Sequence, residues 1–540
     1  MSVYVFLVQL TSRAAVLGKT NLSKQAVEDI NIALKCGYPQ ELKFKAYQRL
    51  AVGFAAMKDT TRTIESYKFL LKSLDDSNLP VEKKNKMKSD CVHKIKQLSL
   101  NAVNTTKDTQ NKQRGIFDVH KTFFSNKIKI ESTEMRGRYS IAKELIPAGE
   151  IIANESSCLS STIPSKRSNH CLNCSKYAFA PLPCPGCCYV CFCCSDCRAI
   201  GLPRHLKQCR LSNFLNNISE NTKKTNFLLS PLLAALDLIL QQDFKDQLEI
   251  FKSWKDEGDE ATKIGDDKKS YFKVLKMVKH FSSMDIKLHF ANCVLVMKIL
   301  KFLDYFPANL PIEDEQMLLV IVCHYFAAVK SNIHTTSEIR FKDKSLEFTP
   351  VGVGMYPEVA LHVNHSCNPN TFTIDNGTNQ LTVAGRDIVA GEEITHIYVG
   401  HYGDTTKEKR QELLQRKFHF QCCCLACEQD YPSAEECLNL YKTFAETPPE
   451  GLKKIISKDE LDVLDKQNDI LHSKVEIALQ KGLVQTAINL TLERIKLISD
   501  NLKEPHVLYL MSRMSLVNYM WYIHGNKSRW FRPEILSTYF

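Results

Sequence analysis

The sequence predicts a multidomain α+β protein in which α-helical segments at both ends flank a β-rich centre. Its 540 residues exceed what one hydrophobic core usually organises, so roughly three or four domains are expected. Apolar residues recur at three- and four-residue spacing near both ends, which indicates amphipathic helices. In the middle, short β-prone runs broken by glycine and proline indicate strands, and a dense group of cysteines interrupts them.

Both ends of the chain are predicted to be helical. Three periodic segments at 21–37, 40–57 and 60–73 are separated by Gly37, Pro39 and Asp59. They predict an N-terminal helical repeat region over 1–100 of the tetratricopeptide kind, followed by a polar linker at 101–115. Residues 431–540 predict a second helical repeat region. The ragged sequences at the two ends suggest that a repeat array is incomplete.

The β-prone runs lie in two separate stretches, at about 136–155 and 346–400. They contain segments such as RYSIAKELIPAGEII and NQLTVAGRDIVAG, which are typical of strands joined by tight turns. Nearly 200 residues separate the stretches, yet we expect them to be halves of one β-fold. A long helical insert over 210–345, which includes LLSPLLAALDLILQQ, lies between them.

Residues 171–209 hold ten of the 21 cysteines. One interpretation assigns eight metal ligands spaced C-x2-C, C-x2-C, C-x3-C and H-x3-C, which is the number that two closed tetrahedral zinc sites require. A disulfide-rich knot is the alternative, but it is uncommon in a chain of this size without a secretory signal. Cys188, Cys191 and Cys194 are surplus and compete for the same positions. The proposed ligands are Cys171, Cys174, Cys184, Cys187, Cys193, Cys197, His205 and Cys209.

The bulk composition is that of a soluble globular protein, with 44% hydrophobic and 24% charged residues. The apolar opening MSVYVFLVQL lacks a basic start and a cleavage site, so we read it as the beginning of a helix. No run approaches the ~20 apolar residues of a membrane span. A soluble protein of the cytoplasm and nucleus, with no membrane contact, is therefore expected.

Positive charge is concentrated at the N-terminal end. The chain has a net charge of +11, and residues 1–130 hold 23 Lys and Arg against 11 Asp and Glu. A segment of this kind suits acidic partners or nucleic acid, and the simpler interpretation is a solvated lysine-rich helical face.

Three motifs in the second β-rich stretch give the chain a family resemblance. NHSCNPN at 364–370 is followed by GEEITHIY at 391–398 and by C-x-C-x2-C at 422–427. This combination resembles a SET-domain protein methyltransferase. With the cysteine cluster placed inside the domain, the chain resembles the SET-and-MYND family, and in particular its members with flanking helical repeats. The resemblance implies a split SET domain at 116–400, a MYND zinc finger at 171–209 and a post-SET zinc segment at 401–430.

The resemblance also implies which residues share each metal ion. In a cross-braced MYND finger, Cys171 and Cys174 share one zinc with the next-but-one pair, and the two remaining pairs share the other. The first set is then Cys171, Cys174, Cys193 and Cys197, and the second is Cys184, Cys187, His205 and Cys209. The family's post-SET zinc corresponds to Cys367, Cys422, Cys424 and Cys427. Cys423 is an extra thiol, and four-sulfur sites of this kind are structural.

For the cofactor, the resemblance implies S-adenosyl-L-methionine bound between the two SET halves. Asn364 and His365 would contact it, and Phe420 would stack on its adenine. The entry loop corresponds to Arg136, Gly137 and Arg138, where Gly137 permits a close backbone approach. Tyr139 stands where the family has a second glycine. Tyr271, in the helical insert, is a further cofactor contact in this scheme.

Tyr398 is the expected catalytic phenol and also borders the cofactor, with Tyr402 as the alternative. Methyl transfer to a neutral lysine needs in-line alignment more than a general base, and the tyrosine hydroxyl would supply that alignment. The sequence therefore predicts a protein-lysine N-methyltransferase acting on histone or non-histone proteins, and a monomer. The rival hypothesis is a weakly active scaffold that recruits corepressor or other peptide partners through the MYND finger and the repeats.

Overall fold

The computed structural model describes the chain in two compact units. Unit one comprises residues 1–118, 178–183 and 191–199, and unit two comprises 119–177, 184–190 and 200–540. Within these limits, the described residues are 3–18, 23–35, 37–104, 123–134, 136–187, 189–212, 226–257, 269–342, 345–443, 458–502, 504–528 and 536. Among them, no helix has both the length and the apolar character that crossing a membrane requires.

In the part of unit one that the structure describes, residues 3–104 form five α-helices, and each helix packs against the next one in the chain. They are α1 (Val3–Leu17), α2 (Ser23–Lys35), α3 (Lys43–Ala56), α4 (Thr60–Ser73) and α5 (Val81–Asn104). The carboxylate of Asp59 caps α4 by accepting the Arg62 N–H, as the predicted break at this residue requires. The last helix continues to Asn104, four residues into the predicted linker, and 105–115 lies outside the described residues.

The β-rich core of unit two includes two four-stranded sheets, and each combines two adjacent strands from the first half of the sequence with two from the second half. The first half supplies β1 (Phe123–Phe124), β2 (Ile128–Thr133), β3 (Gly137–Ala142), β4 (Ile151–Ser156) and β5 (Leu159–Thr162). After the short finger strands β6 (Leu182–Pro183) and β7 (Cys191–Phe192) and helix α6 (Ser195–Gln208), a helical insert leads to the second half.

The described residues of the insert form five helices around a large apolar core that includes Leu236, Val296 and Ile321. They are α7 (Asn226–Ile239), α8 (Phe244–Glu257), α9 (Lys269–Lys276), α10 (Ile286–Phe302) and α11 (Ile312–Asn332). The predicted helical region extends to 345, but the structure forms strand β8 (His334–Lys342) before that point. It pairs with residues 345–354 of β9 (Ser345–Met355), and this pairing favours a strand.

The remaining elements of unit two join the two halves and complete the C-terminal region. They are α12 (Pro357–His362), β10 (Asn364–His365), β11 (Thr371–Asn376), β12 (Asn379–Ala384), β13 (Glu393–His396), α13 (Lys407–Phe418), α14 (Leu425–Glu428), α15 (Ala434–Thr443), α16 (Lys458–Gln480), α17 (Val484–Asn501) and α18 (Val507–His524). One sheet has the order β1-β4-β12-β11 and the other β10-β13-β3-β2. Strands distant in sequence are therefore neighbours, and the prediction that two β-rich stretches form one fold is confirmed.

Candidate active site and metal centres

The NHSCNPN motif and the GEEITHIY segment meet through a short parallel strand pair. Asn364 lies opposite Thr395 and His365 opposite His396 in the pairing of β10 with β13. Asn370 reinforces this junction, because its side chain accepts the Thr395 N–H at 2.9 Å and donates to the main-chain carbonyl of Glu393 at 2.8 Å. The asparagines therefore fix the two segments against each other, and Tyr398 follows directly.

Tyr398 is held at both its backbone and its hydroxyl. Its N–H donates to His365 Nδ1 at 3.0 Å, and its hydroxyl donates to the Val363 carbonyl at 3.0 Å. The rings of His396 and Phe418 lie with their centroids 4.9 Å from the tyrosine ring. Burial raises the pKa of Tyr398 well above its ordinary value, so the side chain remains a neutral phenol rather than a base.

His365 connects Tyr398 to a group of cysteines. Because its Nδ1 accepts the Tyr398 N–H, the ring proton sits on Nε2, which lies 3.3 Å from Cys367 Sγ. The imidazole thus donates towards that sulfur while it positions the tyrosine backbone. Phe420 is part of the same arrangement, with its ring centroid 6.2 Å from that of His365.

The predicted entry loop lies beside Asn364. The amide of Asn364 donates to the Arg136 carbonyl at 3.3 Å and to the Glu393 carboxylate at 3.1 Å, and Arg136 pairs with Glu393 at 3.1 Å. Gly137 has a φ of +64°, and a Cβ there would meet no atom within 4 Å, so open space faces this backbone. A main-chain amide edge beside open space suits the polar methionine end of S-adenosylmethionine.

Two predicted positions occupy other environments. Tyr139 pairs along β3 with Glu131, and its hydroxyl donates to that carboxylate at 3.2 Å. Tyr271 is buried in the apolar core of the insert, where its hydroxyl donates to Gln241 at 2.9 Å. Its role in cofactor binding stays a prediction. Arg138 faces the same insert, since its guanidinium lies 3.4 Å from the Lys276 carbonyl.

Tyr402, the alternative catalytic residue, lies in the cysteine-lined core of the post-SET region. It is 1% exposed and packs edge-on against Tyr431 at 5.2 Å. Its hydroxyl is buried and has no hydrogen-bond partner among the described residues. The geometry therefore favours Tyr398, which has an oriented hydroxyl next to a main-chain carbonyl.

Groups of cysteine and histidine side chains with metal-ligand spacing form the second part of the site. In each, the ligand atoms lie within 4.8 Å of one another. Two groups within unit two have the same members as the predicted sets: Cys184, Cys187, His205 and Cys209; and Cys367, Cys422, Cys424 and Cys427. The members of the remaining predicted set, Cys171, Cys174, Cys193 and Cys197, are divided between the two units, and this set stays a prediction. Cys188 lies outside the described residues, and the surplus Cys191, Cys194 and Cys423 belong to none of these groups.

The separations within these groups suit zinc. Tetrahedral zinc with bonds of about 2.3 Å to sulfur places neighbouring sulfurs about 3.8 Å apart. Cys367 Sγ lies 4.0 Å from Cys422 Sγ and 3.5 Å from Cys427 Sγ, and Cys184 Sγ lies 4.0 Å from Cys209 Sγ. Sulfur and imidazole donors in this geometry are the ligands that structural zinc prefers. The cysteine groups could therefore hold zinc.

One further group was not predicted from the sequence: His289, Cys293 and Cys323. The signal available was the H-x3-C spacing in HFANC, which places two ligands on one helix face. The third ligand comes from another helix 30 residues later, and nothing in the local sequence links it to the pair.

Comparison with known proteins agrees with this geometry. The SET domain family matches residues 137–399. Protein-lysine N-methyltransferase SMYD4 of Danio rerio is 22% identical over 502 residues, which cover 79% of this chain and 61% of that protein. Residues 137–399 therefore form a SET domain, and the chain is similar to SET-and-MYND proteins. The matched residues include both β-rich stretches, whose strands pair with one another in the two sheets.

Shorter stretches of the chain match other relatives. Histone-lysine N-methyltransferase SMYD3 of Homo sapiens is 38% identical over 109 residues, which cover 20% of this chain and 24% of that protein. SMYD4 of Mus musculus is 24% identical over 364 residues, or 55% of this chain and 45% of that protein. The chain thus spans less than two thirds of the length of these relatives.

Proposed function

We propose that this chain is an S-adenosylmethionine-dependent protein-lysine N-methyltransferase. The single observation that carries the proposal is the arrangement of Tyr398, whose hydroxyl lies against the Val363 carbonyl while its backbone is held by His365. The names of the relatives and the match to the SET domain support the same reaction.

The chemistry asks the protein mainly for alignment. Bound S-adenosylmethionine supplies an electrophilic methyl group. The lysine amine must be neutral and in line with that group, and Tyr398 and the Val363 carbonyl provide an oxygen pair able to orient it. Because its raised pKa keeps Tyr398 protonated, the residue acts through hydrogen bonding and not by removing a proton. The lysine proton is lost to solvent before transfer.

Cofactor binding falls to residues around the same strand pair. Asn364 and the Arg136–Glu393 pair border the open face of Gly137. In our proposal, the main chain at Gly137 binds the methionine end of S-adenosylmethionine. Arg138 and His365 also contact the cofactor, and Phe420 stacks on its adenine. Tyr271 would act from the insert.

Zinc has a structural part in the proposal. The groups of Cys171 and Cys184 would each hold one ion of a MYND finger, and the group of Cys367 would hold one post-SET ion. A finger of 39 residues has little apolar core, so metal binding would supply its folding free energy. In the post-SET group, His365 joins Cys367 to Tyr398, so that ion also steadies the catalytic residue.

The flanking helices are proposed as tetratricopeptide-like repeats that shape a groove for protein substrates. Peptide partners such as a corepressor would bind the repeats or the MYND finger, and the chain would act as a monomer in the cytoplasm and nucleus. Consecutive packing of α1 to α5 supports the repeat assignment.

The proposal is tested by calorimetric titration of the zinc-replete chain with S-adenosylmethionine, together with methylation of a peptide array. Tyr398→Phe should lower the turnover by about 100- to 1,000-fold and leave cofactor affinity unchanged, since it removes one oriented hydroxyl. Tyr402→Phe is the matched control and should keep normal activity, because its buried hydroxyl has no partner among the described residues. Well-folded chain that fails to bind the cofactor would overturn the proposal and favour the scaffold hypothesis.

A further inference from the structure

We propose that the helical insert holds a fourth zinc ion, bound by His289, Cys293 and Cys323. Their ligand atoms lie within 4.8 Å of one another. His289 and Cys293 are four residues apart on α10, which places them on one face of the helix, and Cys323 faces them from α11. This site lies apart from the finger and from the post-SET group.

The distances within the cluster suit a tetrahedral ion. Zinc bonded to a sulfur at about 2.3 Å and to an imidazole nitrogen at about 2.0–2.1 Å separates the two ligand atoms by about 3.5 Å. His289 Nε2 lies 3.6 Å from Cys293 Sγ. The imidazole and thiol therefore stand where a shared ion between them would hold them.

Charge balance selects the class of metal. Cys293 is 0% exposed among apolar neighbours that include Val296 and Leu318, so two uncompensated thiolates would be costly there. When a divalent ion binds, the two thiols release two protons to solvent, and two thiolates, one neutral imidazole and Zn²⁺ sum to zero charge. With no carboxylate in the cluster, calcium and magnesium are poor fits, and a thiophilic ion is favoured.

The surroundings of His289 give a second, independent reason. The side chain is buried, and its Nε2 faces the Cys293 thiol. Its ring is packed between aromatic neighbours, with centroid distances of 6.0 Å to Phe281 and 5.4 Å to Phe326. The thiols are thus the polar groups that this imidazole meets, and metal binding offsets the cost of burying it.

Three protein ligands leave one coordination position, which water or an added thiol would fill. Cys323 is only partly buried, so solvent reaches one of the three ligands. The ion would fasten α10 to α11, and α11 continues after Asn332 into β8. The fourth zinc therefore stabilises the connection between the helical insert and strand β8.

Metal content of the purified full chain provides the first test. Elemental analysis should find four zinc ions per wild-type chain and three in Cys293→Ser and Cys323→Ser. Cys158→Ser is the matched control, since Cys158 packs against the same apolar core outside the cluster, and it should keep all four. Equal zinc content in Cys293→Ser and Cys158→Ser would overturn the proposal.

Cadmium substitution makes the test independent of how well a variant folds. In ¹¹³Cd NMR of the wild-type chain, a two-sulfur, one-nitrogen site should give a resonance separate from those of the four-sulfur and three-sulfur sites. A spectrum that contains only resonances of four-sulfur and three-sulfur sites would refute the fourth site. A wild-type mass lower by two hydrogens, with loss of the Cys293 and Cys323 thiols, would instead identify a disulfide and equally refute it. Loss of the fourth ion alone leaves the proposed methyl transfer testable, because Tyr398 is outside the cluster.

Discussion

Arg410 carries a positive charge in the interior of the post-SET region. It is 1% exposed, and its guanidinium lies 3.7 Å from Cys427 Sγ and also donates to the Thr405 carbonyl. Four thiolates around a divalent zinc leave a net charge of −2 in a low-dielectric environment. The buried arginine offsets part of that charge, which explains why a helix facing solvent on its other side turns this residue inward.

We therefore expect Arg410→Met to weaken zinc binding at this site by about 10- to 100-fold, the usual cost of losing a partner of a metal ligand. Zinc release to a chromophoric chelator would measure it. Arg416→Met, on the exposed side of the same helix, is the control and should release zinc like the wild type. Identical release from the two variants would contradict this role for Arg410.

Glu155 introduces a pH dependence of stability. Its carboxylate accepts the N–H groups of Glu358 at 2.7 Å and Val359 at 2.9 Å, at the start of α12. Burial raises the pKa of Glu155 from 4.5 to about 7, so the folded chain keeps a proton that the unfolded chain releases at lower pH. The resulting stabilisation is complete below about pH 4.5 and is lost as the pH rises through about 7.

Glu155→Gln removes this titration. As the pH rises from 4.5 to 7, the free energy of unfolding of the wild type should fall relative to that of the variant by about 3 kcal/mol. Urea unfolding at a series of pH values measures the difference, in which contributions of other groups cancel. Glu144→Gln, an exposed carboxyl, should give a curve parallel to the wild type. Parallel curves for Glu155→Gln would show that this carboxyl titrates normally.

At the scale of elements, the sequence predicted which segments matter better than it predicted where each helix or strand ends. NHSCNPN and GEEITHIY identified the two segments that pair as β10 and β13, because the chemistry of the motif is local to each segment. Periodicity could not separate β8 from the helix before it, since strand formation there depends on pairing with β9. The Cys293 and Cys323 contact also stayed hidden, because it depends on how two helices pack.

Helix α18 is attached directly to the NHSCNPN loop. Arg513 donates to the Asn368 side chain at 3.0 Å and to the Pro369 carbonyl at 2.5 Å, and it pairs with Glu504 at 3.6 Å. Glu504 in turn accepts from Asn368. A planar guanidinium can make these contacts together, whereas an ammonium group cannot span them. The C-terminal helices therefore help to set the loop that connects β10 to β11.

Arg513→Lys preserves the positive charge and removes the planar guanidinium group. We expect it to lower kcat/KM for methylation by about tenfold, the equivalent of one lost charge-assisted hydrogen bond, with the melting temperature nearly unchanged. Steady-state kinetics and thermal unfolding on the same samples would measure both. Lys496→Ala, an exposed basic residue on α17, should change neither. Wild-type kinetics in Arg513→Lys would show that α18 does not position the loop.

At the scale of the whole molecule, two kinds of interaction stabilise different parts of the chain. The helical regions bury large apolar cores, such as the one that contains Leu10, Val27 and Ile30 and the one that contains Val475, Ile488 and Leu516. The cysteine-rich segment 171–209 is short, so metal ligation would supply much of its folding free energy. The post-SET cysteines instead lie in an apolar cluster that also contains Tyr402 and Leu414. Loss of metal should therefore affect methylation activity more than it affects the helical secondary structure.

Removal of zinc separates the two contributions. A strong chelator should abolish methylation, because the link from Cys367 through His365 to Tyr398 loses its anchor. Most of the far-ultraviolet helical signal should remain, since the apolar cores do not depend on metal and the finger spans only 39 of 540 residues.

Circular dichroism and activity are measured on the same sample, and chelator saturated with zinc is the control. Added zinc should restore activity. Methylation that persists in zinc-free chain would show that the post-SET cysteines do not support Tyr398, whereas loss of the helical signal would show that the helical regions depend on metal.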